Sequence, residues 1–238
     1  MLELNRLYNM DCMKGMAEFP DGFFDLAIVD PPYGIGVDGQ RERICTNTKH
    51  NRKEHIQKSW DKAIPPPEYF RELERVSKQQ IIWGGNYFVP YLEQGHKGWL
   101  IWDKGQRGLT MSDCELAYTS FDTPTRIFTL NRVALQQEGT IHPTQKPVKL
   151  YLWVLSLFAR KGMRILDTHA GSASSLVACY QHGGLDYVGF EIDADYFKTA
   201  NKRLEEERAQ IRLFDLLERQ EQAAQRTLFD DRREDLQE

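Results

Sequence analysis

The stretch IVDPPYG, residues 28–34, places an acid and two prolines directly after a run of apolar residues. The residues Leu26 to Val29 are typical of a buried strand. Prolines lack amide hydrogens, so they end the hydrogen bonding of that strand and stiffen the turn that follows. In open α/β sheets, ligands bind beyond the carboxyl ends of the strands, which is where Asp30 and Tyr33 fall. The stretch therefore predicts a core strand that ends in a rigid, acidic binding turn.

Strands and helices alternate along most of the chain. We predict strands at 23–29, 79–85, 97–105, 114–122, 125–130, at the start of 163–184, and at 185–193. We predict helices over 65–78 and 142–162, after the small-residue turn at 167–174, and from Ala194 onward. This alternation predicts an α/β fold with a parallel sheet and helices on both faces.

Composition excludes several classes of protein. The chain has 238 residues, of which 41% are hydrophobic, which suits one large domain with a sizeable core. It shows neither an apolar run of the length a membrane span needs nor a signal-peptide pattern, so we expect a soluble cytoplasmic protein without a membrane partner. The four cysteines are scattered and form no CxxC pair, so we expect neither a disulfide framework nor a metal site.

The charge is unevenly distributed. Residues 203–238 hold 11 acids and 7 arginines, whereas the other 202 residues carry 24 charges of each sign. The formal net charge of −4 therefore does not exclude a local phosphate-binding face.

A turn of small residues, DTHAGSAS at 167–174, joins a predicted strand to a predicted helix. Such a turn lets a ligand approach the backbone at a helix N-terminus, and Glu191, at the end of the next strand, can accept hydrogen bonds from both hydroxyls of a ribose. A nicotinamide, a flavin or S-adenosylmethionine would fit this pattern. The lack of GxGxxG, which a pyrophosphate would need, and the charge of Asp167 in the pocket favour a nucleoside that carries a cation.

The DPPY turn suits chemistry on the exocyclic amine of a nucleobase. The lone pair of that amine is delocalised into the ring, so the nitrogen must become more tetrahedral before it attacks a methyl group. The carboxylate of Asp30 and the carbonyl of Pro31 can accept the amine hydrogens, and the ring of Tyr33 can stack on an extruded base.

Four features together resemble the amino-group DNA methyltransferases: D-P-P-Y at 30–33, H-P-T-Q-K-P at 142–147, the D-x-x-x-G-S-x-S turn at 167–174, and Glu191. Their order is that of the circularly permuted class, in which the catalytic tetrapeptide precedes the cofactor turn. The chain looks closest to small phage or prophage adenine-N6 methyltransferases, over most of residues 2–203. The resemblance implies a Rossmann-like sheet of seven strands, mostly parallel with one antiparallel strand, and S-adenosylmethionine as the cofactor.

The same resemblance assigns roles to individual residues. The catalytic loop would consist of Asp30, Pro31, Pro32 and Tyr33. The cofactor would be bound by Asp11, His142, Thr144, Lys146, Asp167, His169, Gly171, Ser172, Ser174 and Glu191. Two of the positions depart from the family pattern: His169 stands where the family usually has another aromatic residue, and Ala173 stands where it often has a glycine. The methyl group of Ala173 is tolerable if the φ of this residue is negative.

DNA recognition is expected from loops, because residues 131–141 are too few for a recognition domain. The segment 34–62 carries seven Lys or Arg residues against four acids and contains no periodic pattern. We predict that it orders on double-stranded DNA through Arg41, Arg43, Lys49, Arg52, Lys53 and Lys58.

The C-terminal residues exceed what the fold needs. We predict a methyltransferase domain at 1–203 and a charged helical extension at 204–238. Within the extension, QRTLF (Gln225–Phe229) resembles the peptide by which bacterial proteins dock on the DNA sliding clamp, with helix packing as the alternative. A homodimer and a restriction-enzyme partner are left open.

Two functions of different classes stay open. The first is a DNA adenine-N6 methyltransferase that uses S-adenosylmethionine and base flipping, with cytosine-N4 as the nearest rival target. The second is a nucleic-acid-binding regulatory module that keeps the fold without turnover, which the unusual His169 and Ala173 motivate. A nicotinamide oxidoreductase would leave the DPPY turn without a role.

Overall fold

The computed structural model describes residues 1–37, 58, 60–93, 95, 97–108, 112–131 and 140–210. The strands are β1 (Arg6–Asn9), β2 (Leu26–Val29), β3 (Gln80–Trp83), β4 (Trp99–Asp103), β5 (Cys114–Thr119), β6 (Arg126–Thr129), β7 (Arg164–Asp167) and β8 (Asp186–Glu191). The helices are α1 (Cys12–Ala17), α2 (Pro67–Val76), α3 (Val148–Phe158) and α4 (Ser174–His182). Short 3₁₀ turns cover Gly85–Tyr87 and Val89–Tyr91, and residues 194–210 are also helical.

The strands form one sheet in the order β1-β8-β7-β2-β3-β5-β4-β6. The first five of these run parallel to one another, β5 is antiparallel to both of its neighbours, and β6 is parallel to β4. The prediction of a mostly parallel sheet with one antiparallel strand is confirmed. The described part of the chain contains eight strands, one more than the resemblance implies.

Helices cover both faces of the sheet. On one face, α1 packs so closely that a Cβ at Gly15 would stand 2.4 Å from the ring of Phe190. Successive residues of a strand point to opposite faces of the sheet, so Gly189 faces away from α1, toward which Phe190 points. On that other face, Gly189 lies against Leu176 of α4. All of β2 is buried as a result, which explains why its sequence is an uninterrupted apolar run.

The direction of the strands brings distant motifs to one edge of the sheet. Asp30 follows β2 directly, Asp167 ends β7, and Glu191 ends β8. Because β2 pairs with β7 and β7 pairs with β8, the catalytic tetrapeptide and the cofactor turn lie side by side. Since β5 runs the other way, its first residues, including Glu115, come to this same edge.

The chain separates into two compact units, Met1–Asn201 and Lys202–Glu238. The sheet belongs entirely to the first unit, and the domain boundary predicted at residue 203 stays a prediction. In the part of the chain that the structure describes, no helix is both long and apolar enough to cross a membrane. Several predicted contact residues lie outside the described ranges, namely Arg41, Arg43, Lys49, Arg52, Lys53 and the clamp-like Gln225–Phe229.

Candidate active site

A cavity of about 510 Å³ opens at the edge where the catalytic tetrapeptide and the cofactor turn meet. Its lining includes Asp30 and Pro32 from the DPPY turn and also Gly171 and Glu191 from the predicted cofactor side. The two halves of the predicted site, which are more than 130 residues apart in the sequence, therefore share one space.

Most of the predicted site residues reach this cavity. Its lining contains His142, Thr144, Lys146, His169, Gly171, Ser172, Ser174 and Glu191. Four of the predicted residues are not among the described residues that line it, namely Asp11, Pro31, Tyr33 and Asp167. The lining also contains residues that the motif comparison does not indicate, among them Trp60, Tyr151, Asp193 and Tyr196.

Glu191 is held in place by the backbone on both sides. The amide of Gly171 donates to its Oε2 at 2.9 Å, and the amide of Asp193 donates to its Oε1 at 2.8 Å. Burial raises the pKa of Glu191 to about 7, although these hydrogen bonds act in the opposite direction. Each carboxylate oxygen keeps a further lone pair. Glu191 can therefore accept hydrogen bonds from two neighbouring hydroxyls in the cavity.

The carboxylate of Asp167 is hydrogen-bonded within the cofactor turn. Its carboxylate accepts hydrogen bonds from the hydroxyl of Ser175 and, at 3.0 Å, from the amide of His169. Burial raises its pKa to about 7. Asp167 thus stabilises the turn from within, and a direct contact with the cofactor stays a prediction.

His169 is a half-buried, neutral residue of the cavity wall. Its ring packs edge-to-face on Tyr69 at 5.3 Å, and its Nδ1 lies 2.9 Å from the hydroxyl of Thr168. Burial lowers its pKa to about 4, so the ring is uncharged at neutral pH. His169 therefore presents an uncharged aromatic ring, as the residue usual in the family would.

Ala173 does not have the negative φ at which its methyl group would be tolerated without strain. Its φ is 57°, in the left-handed region, where it caps the N-terminus of α4. The turn bends sharply from β7 into α4, and a glycine would adopt this conformation without strain. This explains why a glycine often occupies the position in the family.

Asp11 forms the N-cap of α1. Its Oδ1 accepts from the amides of Met13 at 2.9 Å and Lys14 at 3.2 Å. This satisfies backbone donors of the first helical turn, which is the usual role of an acid at this position. Its predicted contact with the cofactor stays a prediction.

Lys146 connects two acids at the site. Its Nζ lies 2.5 Å from Oδ2 of Asp30 and 3.1 Å from Oε2 of Glu115. The other oxygen of Glu115 accepts from Nζ of Lys104 at 2.8 Å. The hydroxyl of Tyr33 donates to Oδ1 of Asp30 at 2.6 Å. The four charged groups form a row of alternating sign, which we call the ionic row: Asp30, Lys146, Glu115 and Lys104.

Burial and pairing compete in the ionic row. Burial raises the pKa of Asp30, and the charge of Lys146 opposes this rise. Burial also disfavours the charge of Glu115, but Lys146 and Lys104 outweigh it and lower the pKa of Glu115 to about 2. Burial disfavours the charge of Lys146 too, yet the two acids raise its pKa. Lys146 and Glu115 are therefore both ionised at neutral pH.

Sequence reasoning missed Glu115 and Lys104. Lys104 directly follows β4, and Glu115 lies near the start of β5, opposite Trp102 in the strand register. A charged residue in each of two consecutive predicted strands, 97–105 and 114–122, was a usable signal. The strand order that brings β5 next to β3, and hence close to β2, cannot be obtained from the chain order.

Tyr33 is tightly confined. Its ring stacks on Tyr87 with the centroids 4.9 Å apart and the planes 12° from parallel. Gly84 lies against the same ring, because a Cβ built on it would stand 2.1 Å from Cε1 of Tyr33. One face of the ring is therefore covered by Tyr87, and its stacking on a base stays a prediction.

Lys58, predicted to contact DNA, has acidic partners at the cavity. Its Nζ lies 2.7 Å from carboxylate oxygens of both Asp193 and Asp195, and 4.7 Å from the ring centroid of Tyr196. These contacts join residue 58 to the segment that follows β8. The DNA contact of Lys58 stays a prediction.

Comparison with known proteins finds similarity to DNA methyltransferases. Residues 117–202 match the family N6_N4_Mtase, described as DNA methylase. The chain is 26% identical over 220 residues to YubD, a candidate methylase of Escherichia coli (strain K12). This alignment covers 84% of this chain and 90% of YubD. It is 23% identical over 247 residues to the type II methyltransferase M.HpaI of Haemophilus parainfluenzae, with 85% of this chain and 74% of M.HpaI covered.

The fold has solved counterparts. The crystal structure of the M1.HpyAVI–SAM complex superposes with a TM-score of 0.57 at 18% identity, and the match covers 83% of this chain and 98% of that chain. The predicted resemblance is confirmed, and so is the Rossmann-like methyltransferase fold. The chain is similar to DNA methyltransferases of the N6/N4 amino-group family, through the family match at residues 117–202 and through its relatives.

Proposed function

We propose that this protein transfers a methyl group from S-adenosylmethionine to N6 of an adenine extruded from double-stranded DNA. The observation that carries the proposal is the shared cavity, which Asp30 lines together with Gly171 and Glu191. A cofactor with its ribose at Glu191 and an amine at Asp30 would then occupy one space, so that the reacting atoms are held close together.

The cavity residues fit S-adenosylmethionine. Glu191 offers carboxylate oxygens to the ribose hydroxyls, and Gly171 lets the cofactor approach the backbone of the turn. A Cβ at Gly171 would stand 3.6 Å from the ring of His142, so Gly171 lies directly beside this ring in the cavity wall. M1.HpyAVI, which shares the fold, was solved as a complex with SAM. When bound, the cofactor supplies an electrophilic methyl group.

The residues of the DPPY turn would prepare the amine. Asp30 accepts one of its hydrogens, and the carbonyl of Pro31 accepts the other, which favours the tetrahedral geometry that attack requires. The negative charge of Asp30 stabilises the positive charge that develops on the nitrogen. Burial raises the pKa of Asp30, which makes its carboxylate a better acceptor for the proton that the nitrogen loses. Direct transfer needs no covalent enzyme intermediate.

Adenine is the favoured target because of the residue at position 30. The cytosine-N4 enzymes that the chain resembles more often have a serine there, whereas this chain has Asp30. The matched family includes both specificities by name, so cytosine-N4 is the second candidate.

Mass spectrometry of nucleosides tests the proposal. DNA is incubated with the protein and S-adenosylmethionine that carries a labelled methyl group, and an Asp30→Asn variant serves as the control. We expect labelled N6-methyladenine from the wild type only. Labelled N4-methylcytosine would show that the target is cytosine and not adenine. No labelled nucleoside, together with cofactor binding in calorimetry, would favour the regulatory module.

We also propose that the basic segment 34–62 binds the phosphates of DNA. Its excess of Lys and Arg residues supports this. Neutralising Arg41, Arg43, Arg52 and Lys53 together should weaken DNA binding and reduce the slope of affinity against salt concentration. Unchanged affinity and slope in fluorescence anisotropy would refute the assignment.

A further inference from the structure

Both oxygens of the Asp30 carboxylate already have donors. The hydroxyl of Tyr33 occupies Oδ1 at 2.6 Å, and Nζ of Lys146 occupies Oδ2 at 2.5 Å. An amine that donates to Asp30 must therefore share or displace one of these donors. Displacing the cation is the more demanding change, because the side chain of Lys146 is only 3% exposed and a buried charge without a partner is costly.

Glu115 solves this problem by its position. Its Oε2 lies 3.1 Å from Nζ of Lys146, and the same ammonium group binds Asp30. A small movement of the ammonium group toward Glu115 would free Oδ2 of Asp30 and leave Lys146 paired throughout. Glu115 is not among the described residues that line the cavity, so any effect on the reaction passes through Lys146.

Lys104 completes the arrangement. It binds the second oxygen of Glu115 at 2.8 Å, and its Nζ lies 5.4 Å from the ring centroid of Trp102, which pairs with Glu115 in the sheet. Glu115, in β5, is therefore held by an ion pair with Lys104, which follows the neighbouring strand β4. Because Lys104 neutralises part of the charge of Glu115, Lys146 can remain on Asp30 while no base is present.

We propose that Glu115 is a positioning residue that receives Lys146 when the target amine displaces it from Asp30. The proposal rests on the function proposed above. In the absence of DNA, Lys146 compensates the charge of Asp30 and holds the carboxylate in place. When the base enters, Lys146 moves onto Glu115, and Asp30 becomes available to the amine.

The test is a single-turnover measurement of methyl transfer in Glu115→Gln. This variant keeps the size of the side chain but removes its charge, so Lys146 should be held more firmly on Asp30. We expect the transfer rate to fall about tenfold or more, with the cofactor affinity from calorimetry unchanged. Thermal unfolding of each variant shows whether the fold is kept.

Glu72→Gln is the matched control. The side chain of Glu72 is 20% exposed and pairs with Arg75 at 2.7 Å, while that of Glu115 is 23% exposed. The same chemical change at Glu72 removes an ion pair outside the cavity lining, at an acid whose exposure is similar to that of Glu115. We expect its transfer rate to equal that of the wild type.

A second background separates positioning from general stability. In Lys146→Met, the additional change Glu115→Gln should have no further effect on the rate, because Glu115 acts through Lys146. A wild-type rate in Glu115→Gln, or the same loss in both backgrounds, would overturn the inference. A wild-type protein that methylates no DNA would instead refute the proposed function, and this inference with it.

Discussion

Adding one methyl group at Gly84 should disrupt both the stability of the protein and its reaction. Gly84 has a φ of 70°, a conformation that costs an alanine about 1–2 kcal/mol. The new Cβ would stand 2.1 Å from Cε1 of Tyr33, whereas carbon atoms in contact rest about 3.5–4.0 Å apart. The Tyr33 ring would have to move by roughly 1.4 Å or more, and overpacking of this kind costs about 1–3 kcal/mol.

We therefore expect Gly84→Ala to lower the free energy of unfolding by about 2–5 kcal/mol and the melting temperature by roughly 4–20 °C. The displaced ring should also lose its hydrogen bond to Asp30, now 2.6 Å long. The methyl-transfer rate should then fall even at temperatures where the variant is folded. Differential scanning calorimetry and the single-turnover assay measure the two effects.

Gly36→Ala is the matched control for the backbone. Its φ is 71°, nearly that of Gly84, but among the described residues no atom lies within 4 Å of the Cβ that would be added. It should therefore lose only the backbone contribution of about 1–2 kcal/mol. Equal melting temperatures for the two variants, with equal transfer rates, would refute the reasoning about Tyr33.

Three further predictions concern the cofactor side. The pKa of Glu191 is raised to about 7, so its carboxylate gains a proton as the pH falls through that value. Cofactor affinity in calorimetry should then fall from pH 8 to pH 6, and a fall of the same size in Glu191→Gln would contradict this. Ala173→Gly should raise stability by up to about 1 kcal/mol, because it relieves a positive φ; a lower melting temperature would argue otherwise. Asp11→Ala should cost about 1 kcal/mol in urea unfolding through loss of the cap on α1, and wild-type stability would exclude that role.

The sequence predicted much of the fold because most strands are apolar runs bounded by turn residues. β2, for example, is buried at every position and reads as LAIV. β1 was missed: it has only four residues, RLYN, and one of them, Leu7, is buried, so it shows no usable period. It becomes a strand through its pairing with β8, which is a tertiary effect.

The two ends of the site were predictable for a directional reason. In a parallel sheet, residues that follow neighbouring strands meet at one edge, so Asp30 and Glu191 could be expected near one cavity. The ionic row could not be predicted from the sequence, because the position of Glu115 depends on the reversed direction of β5 and on the order of the strands in the sheet. Likewise, the φ of Ala173 depends on how the turn enters α4, which the residue type does not indicate.

The most direct test of the central claim concerns Asp30. Single-turnover transfer of a labelled methyl group to DNA is compared between the wild type and Asp30→Asn, with cofactor affinity measured on the same samples. We predict that the variant binds the cofactor as the wild type does and transfers the methyl group about 100-fold more slowly, or slower still. Transfer at the wild-type rate by Asp30→Asn would contradict the claim that this carboxylate activates the amine.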